Sequence, residues 1–431
     1  MLSPRVIVAR YNPQHSLRLA VALQKADLLA GYYTGLYLSW QHPPFSYLRW
    51  LPKSIRSSID ARLFAQALRQ HPELDPKRVQ VLRVYANITM ALLLRCGVRR
   101  PWELPYYRRQ FVRFERKVAD VACQNADILV LYDTHAYHAL MRTKQRPLIR
   151  VLDMATVHWK TRDSLLRAES QRWPAYRDQI ALPSRDPDRF AQLVAEPCLA
   201  DYVLVGSEWA KATCVDNGCD PDRVHVAPYG VDTELFHPPH AQRTENHPFR
   251  ILYVGGNTPV KGFHYLISLL EKTRDLDIEA WCCGMEEGEP DLFGETGASG
   301  QVKVLGYQSQ VNVARLMRQV DMLCHPSVLD SFSLVCLEAM ASGLPVLTTP
   351  RSGIAWGAAS LVRNEENGFV VPYGDVEAME RVVRLLCGAP DMRLEIGRRA
   401  RETAEKQTWK AYEKQIAQVF REIARQGKPD S

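Results

Sequence analysis

Apolar residues gather in short unbroken runs, each followed by a turn and a longer stretch of helical period. Arg5–Arg10, Gly31–Tyr37, Asp127–Tyr132, Pro147–Leu152 and Leu199–Ser207 are such runs in the first half. Unbroken rather than alternating apolar residues imply strands covered on both faces, hence a parallel sheet flanked by helices. Helical patterns fill the gaps, as over Ser16–Leu29 and Glu208–Asn217. The second of these has Ser207 placed to cap it and Gly218 to end it. A polar, proline-containing stretch, Pro238–Pro248, reads as a linker. The pattern then restarts with Arg250–Gly256, Ile278–Gly284, Val302–Gly306, the run from Val320, and Val346–Thr348. The chain therefore predicts an α/β fold in two units, residues 1–238 and 249–407, with a final helix over 408–425 packed back on the first.

The stretch Val320–Thr349 carries the sharpest local signal. An apolar run ends in His325-Pro326-Ser327, a loop carries Asp330, a helix begins near Ser333 and holds Glu338, and Gly343-Leu344-Pro345 leads into the next strand. This is a βαβ unit. The amides of Ser333, Leu334 and Val335 would lack partners in the first helical turn, and with the helix dipole they form an anion site. Glu338 sits on a helix otherwise built from Leu, Val, Cys, Ala and Met. A carboxylate there needs a partner, either ribose hydroxyls or a nearby cation.

Charge is uneven. From His42 to Asp120, 16 Lys and Arg stand against 6 Asp and Glu, an excess larger than the +7 of the whole chain. Aromatics are interleaved, among them Trp40, Phe45, Tyr47, Trp50, Trp102 and Tyr106. Residues 41–118 thus read as a basic, aromatic, mainly helical insertion. An anionic membrane surface and a plain helical insertion with solvated charges both fit it. No apolar run approaches the 18 residues of a membrane span. The chain enters a strand at once, so a cytoplasmic protein is expected, peripheral on the inner face of the cell membrane if the insertion meets lipid. The ten cysteines show no zinc or redox spacing and are expected to be reduced core thiols. No nucleic-acid partner and no metal site are expected.

Asp330-x7-Glu338 followed by Ala-Met-Ala-Ser-Gly-Leu-Pro-Val resembles the acid-x7-Glu motif of retaining glycosyltransferases of the GT-B fold, family 4. The usual first acid there is Glu; here it is Asp. Gly230-Val231-Asp232 with Phe236 is similar to that family's exit from its first domain. The resemblance implies two Rossmann-like domains facing each other across a cleft. A nucleotide-sugar donor would lie on the second and a glycan, lipid-linked or small-molecule acceptor on the first. It implies donor contacts from Gly255, Gly256, Lys261, Ser333, Leu334, Val335 and Glu338, with Tyr307 near the base. Asp330 and His158 would meet the transferred sugar, Glu338 the ribose and Lys261 the diphosphate. His158 is preferred over His135 and His138 because it follows a strand end in Asp153-x4-His158, with Glu169 downstream. The family usually carries an Arg where this chain has Gly256, and Arg351 is a candidate substitute. The first loop, Asn12-Pro13-Gln14-His15, lacks the paired glycines of many relatives and more readily shapes the acceptor side. No cofactor is implied beyond the donor. A nucleotide-sugar epimerase and a non-catalytic carbohydrate-binding protein of the same fold stay open. A Rossmann dehydrogenase does not, because no GxGxxG follows a strand.

Overall fold

The computed structural model describes residues 3–12, 16–35, 50, 52, 71–82, 105–239, 247–256, 258–285 and 301–429. His15, most of the 41–118 insertion, Asn257 and the middle of the linker lie outside the described residues.

In chain order the first unit contains β1 (Val6–Arg10), α1 (Ser16–Lys25), β2 (Leu29–Thr34), β3 (Val79–Val81), α2 (Pro105–Asn125), β4 (Ile128–Tyr132), α3 (Tyr137–Thr143) and β5 (Ile149–Met154). It continues with α4 (Trp159–Arg172), α5 (Pro187–Leu199), β6 (Tyr202–Val205), α6 (Glu208–Val215) and β7 (Val224–Val226). The second contains β8 (Phe249–Val254), α7 (Phe263–Lys272), β9 (Ile278–Cys283), β10 (Val302–Val304), α8 (Gln310–Met317), β11 (Met322–His325), α9 (Leu334–Ala341), β12 (Val346–Thr348) and β13 (Phe369–Val370). Helices α10 (Val376–Gly388), α11 (Pro390–Ala404) and α12 (Trp409–Gln426) close the chain.

Two parallel sheets result, ordered β3-β2-β1-β4-β5-β6-β7 and β10-β9-β8-β11-β12-β13. Each begins in its middle and grows first to one side, then to the other. The order reverses between β1 and β4 in the first sheet and between β8 and β11 in the second. Such switch points open a crevice beyond the carboxyl ends of the flanking strands. In the first sheet that crevice lies beside Tyr11 and Asp133, and in the second beside Gly255 and Pro326. The central strands are buried along their length, Val6 to Ala9 and Ile128 to Tyr132 among them, which is why they read as unbroken apolar runs.

One strand departs from the sequence reading. Val79–Val81 lies inside the stretch read as mainly helical, yet it pairs parallel with β2 through Tyr32↔Val79. Three residues amid basic neighbours carry too little pattern to reveal a strand, and the open edge of β2 supplies the pairing.

Contacts from the last helix run to the first unit. Lys25 Nζ donates to Glu413 at 2.8 Å, Gln415 to the Val226 carbonyl at 2.9 Å and Tyr202 to the Gly427 carbonyl at 2.8 Å. Gly230 lies so close to this crossing that a Cβ would stand 2.3 Å from the Trp409 nitrogen.

Candidate functional site

Three loops meet at the carboxyl edge of the second sheet. After β8, Pro259–Lys261 forms a single 3-10 turn ended by Gly262 at φ +76°. A Cβ on Gly262 would stand 2.0 Å from the Pro326 carbonyl oxygen, so only glycine lets this turn press against the loop after β11. The contact is locked by Val328 N–H and the Ser327 hydroxyl, both donating to the Val260 carbonyl, at 3.1 and 3.2 Å. On the other side the Asp330 amide donates to the Arg351 carbonyl at 2.8 Å. Gly353, also at positive φ, would drive a Cβ to 2.1 Å from the Ser331 carbonyl.

This packing places Lys261 Nζ 2.7 Å from Asp330 Oδ2. His325, buried at the end of β11, brings Nε2 to 3.4 Å from the same oxygen. Burial alone would raise the Asp330 carboxyl. The Lys261 charge and the His325 imidazole outweigh it and hold Asp330 below the ordinary aspartate range. The pair keeps some solvent, with side chains 36% and 16% exposed.

Helix α9 begins beside this pair. The Ser333 side chain makes no capping bond, and the Ser333 amide donates to the Ser352 carbonyl at 3.1 Å. Ser333 is therefore not an open donor, because the loop after β12 has claimed it. Among the described residues the Leu334 and Val335 amides meet no acceptor, so the open amides begin one residue later. Glu338 follows one turn further on. Gln310 of α8 donates to its Oε1 at 3.0 Å, and burial pushes its carboxyl up to about 7 against that bond. It stays partly exposed, as a group deep in an open cleft does.

The first unit closes on this loop. Ser331 Oγ donates to the Ala155 carbonyl at 2.6 Å, and the Ser207 hydroxyl donates to the Ser331 carbonyl. The Arg162 charge bears on both Asp133 of the first unit and Asp330 of the second. Deeper in, Glu169 of α4 and His264 of α7 are fully buried and joined at 2.7 Å, ringed by Trp173, Tyr176 and Tyr265.

Of the other expected positions, Gly255 stands beside Lys261, since a Cβ on it would meet the Lys261 Cβ at 3.4 Å. Gly255 and Gly256 follow β8; Gly255 N–H donates to the Cys283 carbonyl at 2.9 Å, and the Gly256 carbonyl accepts from Tyr253. A Cβ on Gly256 would meet nothing nearer than 3.7 Å, so a side chain fits there. Tyr307 is 70% exposed at the edge of the sheet. The Arg351 guanidinium lies 3.7 Å over the Tyr373 ring rather than beside Lys261. His158 lies in the loop after β5. It sits at the N-cap of α4, accepting from Lys160 N–H on Nδ1 at 3.3 Å, while its amide is held by Thr213 at 3.0 Å. Burial, then the Lys160 charge, lower it to about 4, so it is neutral. His325, Arg162 and Gln310 join the site without having been singled out as site residues.

The family of glycosyl transferases group 1 matches residues 239–403. Those residues are similar to the group 1 glycosyl transferases over 165 of the 431 residues. The matched span covers β8 to α11, including Lys261, Asp330 and Glu338. The MMP alpha-(1->4)-mannosyltransferase of Mycolicibacterium hassiacum is 28% identical over 62% of this chain and 66% of its own length. The D-inositol 3-phosphate glycosyltransferase of Corynebacterium glutamicum is 26% identical over 57% of this chain and 63% of its own. The chain thus spans less than two thirds of these relatives' length. Among solved structures, sucrose-phosphate synthase from Thermosynechococcus elongatus superposes with TM-score 0.67 at 16% identity over 98% of this chain and all of that one. Anabaena HepE in complex with UDP-glucose gives 0.61 at 16% over 97% and 100%. WaaG, a glycosyltransferase of lipopolysaccharide biosynthesis, gives 0.61 at 16% over 96% and 99%. These likenesses give the fold: GT-B, two Rossmann-like units across a cleft.

Proposed function

We propose that this protein is a group 1 glycosyl transferase, metal-independent, that moves a sugar from a nucleotide-sugar donor to a glycan or lipid-linked acceptor with retention at the anomeric carbon. The observation that carries this reading is the Lys261–Asp330 pair beside the open amides of Leu334 and Val335, with Glu338 one turn along the same helix. A departing nucleoside diphosphate gathers negative charge, and fixed positive groups lower the barrier most where charge develops. Lys261 and the α9 amides would supply that charge. Asp330 would hold the sugar hydroxyls, and Glu338, as a carboxylate, would accept from the ribose. The acceptor hydroxyl would attack from the face the diphosphate leaves. Its oxygen bonds to the anomeric carbon, the carbon–phosphate-oxygen bond breaks, and the hydroxyl proton passes to the diphosphate. The UDP-glucose bound to HepE favours such a donor.

The partner surface is proposed to be anionic lipid on the cytoplasmic face of the membrane. Helix α2 turns Tyr106, Arg109, Arg113, Arg116 and Lys117 to solvent, and interfacial aromatics with cations suit that surface. Among the described residues no helix is long and apolar enough to cross a membrane. Co-sedimentation with phosphatidylglycerol vesicles but not with neutral ones is expected; equal binding to both would refute the lipid assignment.

Thermal shift with UDP, GDP and ADP tests the donor site. One nucleotide is expected to stabilise the chain by ~2.7 kcal/mol at a hundredfold excess over its dissociation constant. The shift should vanish in Lys261→Ala and Glu338→Ala. No shift with any nucleotide, in a folded chain, would overturn the transferase reading.

A further inference from the structure

On the flank where α4 meets the second unit, two arginines from opposite units reach one tyrosine ring. Arg172 ends α4, and Arg351 lies in the turn after β12. The Arg351 guanidinium stands 3.7 Å from the centre of the Tyr373 ring, and that of Arg172 stands 5.7 Å from it. Tyr265 meets Tyr373 edge-on at 5.9 Å. Gly374 makes room for Arg172. A Cβ there would stand 2.5 Å from Arg172 Nη1, and without one the guanidinium donates from Nη2 to the Gly374 carbonyl at 2.9 Å.

Neither cation has an acid of its own. Among the described residues no carboxylate lies within 4.0 Å of either guanidinium. Arg172 is exposed, with most of its N–H groups open, and the half-buried Arg351 guanidinium makes no hydrogen bond to the described residues. Glu169 is the acid whose charge reaches Arg351, and it is already engaged by His264 at 2.7 Å and the Tyr265 hydroxyl at 3.3 Å. Asp375, next in the chain after Gly374, accepts the Ala378 amide at the start of α10. Burial lowers the Arg351 guanidinium, Glu169 and Tyr265 oppose this, and the Arg172 charge adds to it. A tyrosine face offsets a guanidinium only in part and leaves its N–H edges open. Two like charges held at one ring by opposite units push the units apart until an anion sits between them. The guanidinium fork suits the oxygens of a phosphate. The same turn meets the donor pair, because the Arg351 carbonyl accepts the Asp330 amide at 2.8 Å.

We propose that Arg172 and Arg351 form a phosphate site across the seam between the two units, and that a phosphate group bound there favours the closed arrangement that binds nucleotide. The coupling to nucleotide rests on the transferase reading above; the phosphate site does not.

The test is calorimetric titration of the full chain with inorganic phosphate and with glycerol 3-phosphate at constant ionic strength, followed by UDP with and without phosphate. Saturable phosphate binding is expected. It should weaken tenfold or more in Arg351→Gln and in Arg172→Gln, because a hydrogen bond to a charged group contributes about that factor or more. Arg351→Lys keeps the charge and should retain part of it, and Lys261→Ala should retain all of it. No saturable binding would overturn the site, and so would binding that both glutamine variants keep or that Lys261→Ala abolishes. Equal binding of the two probes supports a site for phosphate esters, and binding of inorganic phosphate alone supports a site for the free ion. Phosphate should raise UDP affinity about fivefold or more, whereas an anion competing for the donor site would lower it. An unchanged or lowered UDP affinity overturns the coupling. A chain that binds phosphate but no nucleotide sinks the donor reading and leaves the site standing.

Discussion

Glu338→Gln separates a binding carboxylate from a structural one. Burial pushes the Glu338 carboxyl from about 4.5 to about 7 in the fold. The sign follows from linkage. Below about 4.5 both folded and unfolded chains hold the proton and no penalty exists. Between about 4.5 and 7 the unfolded chain ionises first, so stability falls as pH rises; above about 7 the full penalty is present. The whole span corresponds to roughly 3 kcal/mol, and partial solvent access in the cleft reduces it to about 1–2 kcal/mol. Glutamine keeps the shape and still offers an oxygen to Gln310, but it never ionises. Urea unfolding of the two proteins at about pH 5 and about pH 8.5 measures this directly. The glutamine variant is expected to be more stable by about 1–2 kcal/mol at the higher pH and nearly equal at the lower. In the same preparations it should lose the stabilisation given by nucleotide, since the ribose loses a charged acceptor. A destabilised glutamine variant at high pH, or a gap independent of pH, would show that the carboxylate holds the fold together and would remove it from the donor site.

Gly256→Arg has room for its Cβ. It would place a second cation where the resemblance expects one, so nucleoside diphosphate affinity should rise about tenfold by calorimetry; unchanged affinity would mean that this position does not face the diphosphate. Gly262→Ala combines φ +76° with a Cβ 2.0 Å from a carbonyl oxygen, and thermal unfolding should report a loss of at least about 2 kcal/mol. Glu169→Ala leaves His264 buried and unpaired between the two units, which should destabilise by about 3–5 kcal/mol in urea; a loss under 1 kcal/mol would show that water or another group replaces the carboxylate. Dialysis against EDTA is expected to leave the transfer rate unchanged, and a loss restored by one divalent ion would refute metal independence.

The central strands were legible because a strand buried on both faces must be apolar throughout, and Val6–Ala9 and Ile128–Tyr132 are. The βαβ unit around Asp330 was legible for a similar reason: a cap position, an apolar helix and a Gly-Leu-Pro stop follow one another without interruption. Side-chain partnerships were less readable. Ser333 looked like a free amide because local sequence cannot show that the Ser352 carbonyl folds onto it. His325 looked like the end of an apolar run, and only the packing of Gly262 on Pro326 turns it and Lys261 toward the same oxygen. His158 follows a strand end, as a cleft residue would, and local sequence does not show that its imidazole also caps α4, where Asp or Ser more often serves. Arg162 was hidden among many arginines, and nothing along one dimension distinguishes a cation that faces a crevice from one that faces water.

The Lys261–Asp330 pair looks at first like an obstacle to the chemistry assigned to it, since a lysine held by a carboxylate is a poor phosphate ligand. An ammonium group has three donors, however, and Asp330 engages one of them. Both neighbours of Asp330 converge on Oδ2, which leaves Oδ1 for a sugar hydroxyl. The pair can therefore be shared with a donor rather than broken by it. Aspartate in place of the family's glutamate shortens the reach by one methylene, and the Lys261 bond to Oδ2 limits the freedom of the remaining oxygen. With glycine at position 256 and Arg351 stacked on Tyr373, no arginine among the described residues is seen to take the family's usual place beside Lys261. In the proposed donor complex the diphosphate charge would then fall on Lys261 and the α9 amides. Removing that one ammonium should for this reason cost more nucleotide affinity here than in Gly256→Arg, where a second cation shares the load; equal losses in both backgrounds would refute this division of charge.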